Sequence, residues 1–236
     1  MRAKRVAAAG LACAALSGSL SACTAGPEPA MRSFDTPQAL AEANLVAAGA
    51  KRSVVVDLDL GASGRGTCEL RTGDFAASCR LAPGDTEEVS YVMVPDALFV
   101  RIPPGRAPEP DRPWLRLDPA DPDNPLGRAM ADVAVRLRDA ADLREALPEG
   151  ARITGKAEEE VAGRRTVRYT AEAAEDGRPS VVRLWVDADD LPVRREVRTR
   201  VEGGEAVVAD YRDWGRPVEV APPAPEQVGE LPALPG

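Results

Sequence analysis

The 236-residue chain contains no histidine. This removes the commonest general base at neutral pH and the commonest metal ligand together. Serine–histidine and cysteine–histidine catalysis are excluded, as are histidine-ligated zinc sites. Aromatic residues are few: three each of Phe, Tyr and Trp. Lysine occurs only at Lys4, Lys51 and Lys156, against 27 arginines. With the abundance of Ala and Pro, this bias points to a high-GC bacterial genome, such as that of an actinobacterium. After residue 25 no run of 18 or more apolar residues occurs, so no transmembrane helix is expected. No nucleophile with a base partner, phosphate-binding loop or nucleotide fingerprint is present. The chain therefore reads as a non-enzyme with no cofactor and no metal.

Positive charge is also in deficit. The formal net charge is −8, and residues 1–22 hold Arg2, Lys4 and Arg5 with no acid. The remainder carries 27 basic against 38 acidic residues, a net of −11. Such a surface repels phosphate backbones and excludes a nucleic-acid partner. It also lacks a polybasic route to anionic lipids. Hydrophobic content of 44% and charged content of 29% are ordinary for a globular protein, and the length is ample for one core.

What is present begins with a leader. The basic "MRAKR" precedes the small, weakly apolar "VAAAGLACAALSGSL", the layout of a secretory signal. It closes on Leu20-Ser21-Ala22-Cys23, which resembles the bacterial lipobox. That resemblance implies diacylglyceryl transfer to the Cys23 thiol and cleavage just before it. The protein would then hang from the outer, extracytoplasmic face of the cell membrane. One acyl chain, at roughly 0.8 kcal/mol per buried CH₂, binds marginally; a diacylglyceryl group supplies the two chains that stable anchoring needs. Cys13 is lost with the leader. "TAGPEPA" (24–30) reads as a polar tether. The expected organisation is a signal peptide (1–22), a lipidated N-terminus and tether (23–34), one domain (35–222) and a Pro-rich, disordered tail (223–236).

Cys68 and Cys79 remain in the exported part, where a pair implies a disulfide. A hairpin folded about Gly73-Asp74 sets Cys68 opposite Cys79. A two-residue turn would make them a hydrogen-bonded pair. A four-residue loop, Thr72 to Phe75, makes them a non-hydrogen-bonded pair, whose side chains lie closer, and is preferred. Cys68, Leu70, Ala77, Cys79 and Leu81 then share one face. There is no C-x-x-C, so the pair reads as a structural staple.

Residues 35–50 read as a helix capped by Asp35 or Thr36, started by Pro37 and ended by Gly49, with Leu40, Leu45 and Val46 toward the core. Strands are expected at 53–60, on both sides of Gly73, at 87–94, 97–102, 114–117, 152–160, 164–174, 180–187, 192–201 and 205–214. Asn124 and Pro125 open a second helix, 124–147. Short antiparallel strands in series predict an α+β fold: one curved sheet with helices packed on one face.

Three features occur together: the lipobox; "VAGRRTVRYTAEA" leading into "LWVDADDLPVRREV"; and "YRDWGRPVEVAPP". The matching residues are Gly163, Thr166 and Tyr169; Trp185, Val186 and Asp187; Leu191 and Pro192; and Tyr211, Asp213, Trp214, Gly215 and Pro217. This set resembles the actinobacterial lipoproteins related to LppX and LprG, within the LolA/LolB-like superfamily. Phe99 stands where a Tyr is common in that family. The resemblance implies a strongly curved antiparallel half-barrel of about ten to eleven strands with helices on the concave face. It also implies an apolar cavity that holds acyl chains.

Val56, Leu58, Leu60, Leu70, Phe75, Val89, Tyr91, Leu98 and Val100 could wall such a cavity. They could equally form a closed core without a ligand. Two functions follow. One is a lipid-binding or lipid-transfer lipoprotein. The other is an anchored interaction or sensing module that contacts an envelope protein. Asp57 and Asp59 read as the solvated face of a strand. The acid-rich "DPADPDNP" and "DADD" lack the order of a calcium loop. Trp185 and Trp214 read as packing at strand ends.

Overall fold

The computed structural model describes residues 30–82, 87–103, 105–107, 109–117, 147, 150–175, 178–199 and 206–229. Cys23 and the lipobox, the acid-rich loop 118–125, and the helix expected over 124–147 up to its last residue lie outside the described residues.

Helix α1 (Pro37–Lys51) starts where Thr36 caps it. The Thr36 hydroxyl accepts the Ala39 N–H at 3.2 Å, and Pro37 sits at the first position, where a missing N–H costs nothing. Gly49 does not end the helix. The chain leaves at Arg52, in the left-handed region (φ 66°), whose N–H bonds the Ala48 carbonyl and whose carbonyl takes the Thr72 N–H. A tertiary bond thus sets the end, and no local signal does. Leu40, Asn44 and Ala48 form the buried stripe, one helical turn apart. Val46, expected inside, is 70% exposed, because it lies off that stripe.

The strands are β1 (Ser53–Asp59), β2 (Arg65–Arg71), β3 (Ala76–Ala82), β4 (Val89–Val94), β5 (Ala97–Arg101), β6 (Trp114–Leu117), β7 (Arg152–Val161), β8 (Arg164–Glu175), β9 (Arg178–Val186), β10 (Pro192–Thr199), β11 (Ala206–Arg212) and β12 (Val228–Gly229). They make one open, curved sheet of twelve strands in the order β12-β6-β5-β4-β3-β2-β1-β11-β10-β9-β8-β7. Two meanders are thereby joined at a β1–β11 seam, Val56 facing Tyr211 and Leu58 facing Ala209. Pairing is antiparallel except β12 with β6. Eleven strands match the sequence expectation. The twelfth comes from the tail expected to be disordered from 223. There a 3₁₀ turn at Pro225–Gln227 leads into β12. One α-helix lies among the described residues, where the sequence predicts two.

Turn chemistry fixes the registers. Ala162 (φ 50°) and Gly163 (φ 74°) form a two-residue hairpin turn between Val161 and Arg164, with both central residues at positive φ. In β2, Gly66 faces Leu81, and a Cβ there would lie 2.5 Å from the Arg80 carbonyl oxygen. Only glycine lets β3 approach so closely at that point.

The helix docks through one buried polar contact. Asn44, 1% exposed, donates its side-chain amide to the Asp190 carbonyl at 2.7 Å. Asn44→Ala leaves that carbonyl without its donor. The variant should lose about 1–3 kcal/mol of unfolding free energy in urea. A loss below about 0.5 kcal/mol would show that apolar packing alone seats the helix.

Candidate functional site

The strand alternation sorts the residues onto two faces with opposite chemistry. The inner face, which carries α1, presents Val54, Val56 and Leu58 from β1, Cys68 and Leu70 from β2, and Ala77, Cys79 and Leu81 from β3. Tyr91 and Met93 from β4, Leu98 and Val100 from β5, Leu117 from β6, and Ala209 and Tyr211 from β11 continue it. Across these seven strands no charged side chain takes an inner position in the register. A second inner cluster covers β8 and β9 with Val167, Tyr169, Ala171, Val182, Leu184 and Val186. Leu40 of α1 joins the second cluster and Ala48 the first, so the helix lies across both.

All nine residues expected to wall a cavity gather in the first cluster. Val56, Leu58, Leu70, Tyr91, Leu98 and Val100 are at most 6% exposed, and Leu60, Phe75 and Val89 pack against them half-buried. Cys68 and Cys79 are disulfide-bonded within it, directly opposite each other with Cα atoms 4.1 Å apart. That short separation belongs to a non-hydrogen-bonded pair. The connecting loop is Thr72 to Phe75, as the spacing predicts.

Between the clusters runs β10, which brings a charge into the apolar face. Arg195 faces Leu184 on one side and Ala209 on the other. It hydrogen-bonds the Tyr211 phenol, whose pKa is pushed up by burial and eased down by that arginine. Tyr211 also stacks on Trp214, ring centres 6.0 Å apart. The Trp214 indole N–H is donated to the Pro192 carbonyl at 3.0 Å. The sequence pattern holds a signal for Arg195, which is in phase with Val193 and Val197. A comparable signal marks Asn44, which sits one turn from Leu40 and one from Ala48.

Residues 31–35 form a strap over the inner face at β7 to β10. The Tyr169 hydroxyl accepts the Phe34 N–H at 3.1 Å and donates to the Arg32 carbonyl at 3.3 Å. Arg32 pairs with Asp190 and stacks on the Phe34 ring at 5.0 Å. Lys156 binds Asp35 and Ser33. Asp187 builds the turn that presents Asp190. Its Oδ1 accepts the N–H groups of Asp189 and Leu191, each at 3.0 Å, and Asp190 takes φ 60°. Burial holds the Asp187 carboxyl above the usual aspartate range, against those two hydrogen bonds. The "DADD" carboxylates at 187 and 190 are thus occupied within the protein. Beside the strap, Met31, Glu158, Glu159, Glu160, Arg165 and Thr166 line a depression of about 190 Å³. Four of its six residues are charged, which does not suit an acyl chain.

The outer face is laced by cross-strand charge pairs. Arg194 makes two hydrogen bonds to Asp210, Arg183 pairs with Glu196, and Arg216 pairs with Glu69. Asp57 accepts from Arg212 at 2.6 Å and from the Thr67 hydroxyl at 2.7 Å, and Asp59 pairs with Arg65. Both aspartates therefore lie on the solvated face, where the alternation puts them. Trp185, out of phase with Leu184 and Val186, turns outward and donates to Glu159 at 2.9 Å. On the outer face of β3 to β6, Ala76, Val92 and Phe99 are covered by Val218, Val220 and Val228 of the C-terminal segment.

No protein-family model matches the sequence, and no curated protein sequence matches it significantly. The fold is similar to that of the lipoprotein LppX of Mycobacterium tuberculosis, at 17% identity, TM-score 0.50, over 80% of this chain and all of LppX. A MucA/MucB complex structure from Pseudomonas aeruginosa matches at 18% identity and TM-score 0.36, over 73% of this chain and 55% of that one. A LolA superfamily protein from Nitrosomonas europaea matches at 14% identity and TM-score 0.32, over 75% and 92%.

The Asp57–Arg212 pair gives a pH signature. The Arg212 hydrogen bond holds the Asp57 carboxyl below its ordinary range. Its stabilisation is therefore full above that range and is lost as pH falls through the lowered folded value. Both side chains are over 40% exposed, so Asp57→Asn should cost only about 0.2–1 kcal/mol at pH 7. In urea titrations that gap should close as the pH is taken below the ordinary aspartate range. A gap that persists at low pH would mean that shape and not charge is responsible.

Proposed function

We propose that the protein is a membrane-anchored extracytoplasmic lipoprotein that binds or transfers a lipid or another hydrophobic ligand on the inner face of its sheet. One observation carries the reading: the inner face of β11 and β1 to β6 is apolar throughout, while the opposite face of β10, β11 and β1 is tied by ion pairs. Acyl chains need area and few polar atoms, at about 25 cal/mol per Å² buried. The finer architecture is that of a half-barrel with helices on its concave face, enclosing the wall from Val56 to Val100. The similarity in fold to LppX supports this, as does the lipobox-like Leu20-Ser21-Ala22-Cys23. No helix among the described residues is long and apolar enough to cross a membrane, so the anchor proposed is the diacylglyceryl group on Cys23. The working part is binding, without catalysis.

The close burial of the wall residues favours a second reading, a closed core that presents a surface to an envelope protein. Lipid extraction separates the two. Protein purified from membranes of its host and analysed by mass spectrometry should release an acyl lipid in near-stoichiometric amount. Protein that carries no lipid, and takes none up from vesicles, would leave the closed core as the better account. The anchor is checked separately: Cys23→Ala should move the protein from the membrane fraction to the soluble exported fraction.

A further inference from the structure

We infer that, in the anchored protein, the end of the sheet formed by the β7–β8 and β9–β10 turns faces the lipid surface. The inference rests on the anchoring reading of Cys23. It adds a direction to it, and the direction comes from how the chain enters the fold. Met31 sits with Glu160 and Thr166, beside the Ala162-Gly163 turn. From there the strap is fixed: Arg32 to Asp190, Phe34 to Tyr169, Asp35 to Lys156. The chain is therefore tethered at Met31, with no slack donated by the following residues.

Lengths decide the orientation. Seven residues separate Cys23 from Met31, which limits the reach to about 28 Å when fully extended. The opposite end of the sheet, where β8 finishes at Glu175, lies nine residues beyond Thr166 along that strand. At the usual rise this is about 30 Å. To bring that end to the membrane, the tether would have to run back along the whole strand with nothing left over. The near end needs only a short span. The Asp187–Leu191 turn, which the strap grips through Asp190, shares the near end, whereas the Ile102–Pro113 connection between β5 and β6 belongs to the far one.

The test uses the full lipidated protein in phosphatidylethanolamine–phosphatidylglycerol vesicles that contain an acceptor-labelled lipid. A donor dye is attached at Asp189→Cys, on the near turn, or at Glu175→Cys, where β8 finishes at the far end. Energy transfer to the bilayer should be about threefold or more stronger from 189 than from 175, given the length of about 30 Å along β8. Arg32→Ala with Tyr169→Phe and Lys156→Ala, which removes the Asp190 pair, both hydroxyl bonds and the Asp35 pair that hold the strap, should bring the ratio toward one while the protein still floats with the vesicles. Equal or reversed transfer in the strapped protein, with flotation intact, overturns the orientation alone. Failure to float removes the Cys23 anchor, and the orientation falls with it.

Discussion

A sheet that does not close leaves an apolar face that it cannot bury against itself, and the rest of the molecule answers to that constraint. The sheet has free ends at β12 and β7, so it lacks the self-coverage of a barrel. Its inner face must be covered by other parts of the chain. Among the described residues, α1 and the 31–35 strap do this. Both are held by the same turn: Asn44 bonds the Asp190 carbonyl and Arg32 binds the Asp190 carboxylate. Asp187 shapes that turn by accepting two backbone N–H groups. A single acidic loop thus fixes the cover over β8 and β9.

The two faces divide the physical tasks. Inner positions supply area, and the Cys68–Cys79 bridge staples β2 to β3 in the middle of it. Outer positions support register, because Arg194–Asp210, Arg183–Glu196 and Arg212–Asp57 each join neighbouring strands: β10 to β11, β9 to β10, β11 to β1. Pairs this exposed add little stability each, but like charges directly opposite would cost, so the pattern disfavours a slipped sheet. Arg195 is a cation set among apolar neighbours on that face and tied to the Tyr211 phenol, and toward the β7 edge Lys156 and Glu158 also take inner positions, opposite Tyr169 and Val167. The residues that carry the family resemblance prove to be structural. Gly163 makes a turn, Tyr169 clasps the strap, Asp187 forms a loop, and Trp214 locks Pro192.

Much of this was legible. Alternation in "SVVVDLDL" separates Val54, Val56 and Leu58 from Asp57 and Asp59, because successive strand residues point to opposite faces. The spacing about Gly73 gives the disulfide and its pairing. Less was legible where a contact distant in sequence decides. The helix passes Gly49 because the Thr72 N–H takes the Arg52 carbonyl. Val46 points outward because the stripe runs through Asn44, a polar residue that is buried only because Asp190 waits for it. The tail from 223 reads as disordered by composition, yet Val228 packs on the outer-face cluster of Val92, Phe99 and Val220, and β12 pairs with β6.

The sequence by itself determined eleven of the twelve strands, the alternation of their inward and outward residues, the staple between Cys68 and Cys79, and the exclusion of histidine chemistry. These depend on period, turn residues and composition, all of which are local. Only the tertiary structure decided the β1–β11 seam that joins two meanders into one face, the placement of Arg195 within it, and the strap and tail that cover its two sides. The reason is physical. Local patterns state which side of a strand avoids water, but which surface shelters it depends on residues about 150 positions away, such as Asn44 with Asp190 or Arg71 with Val220.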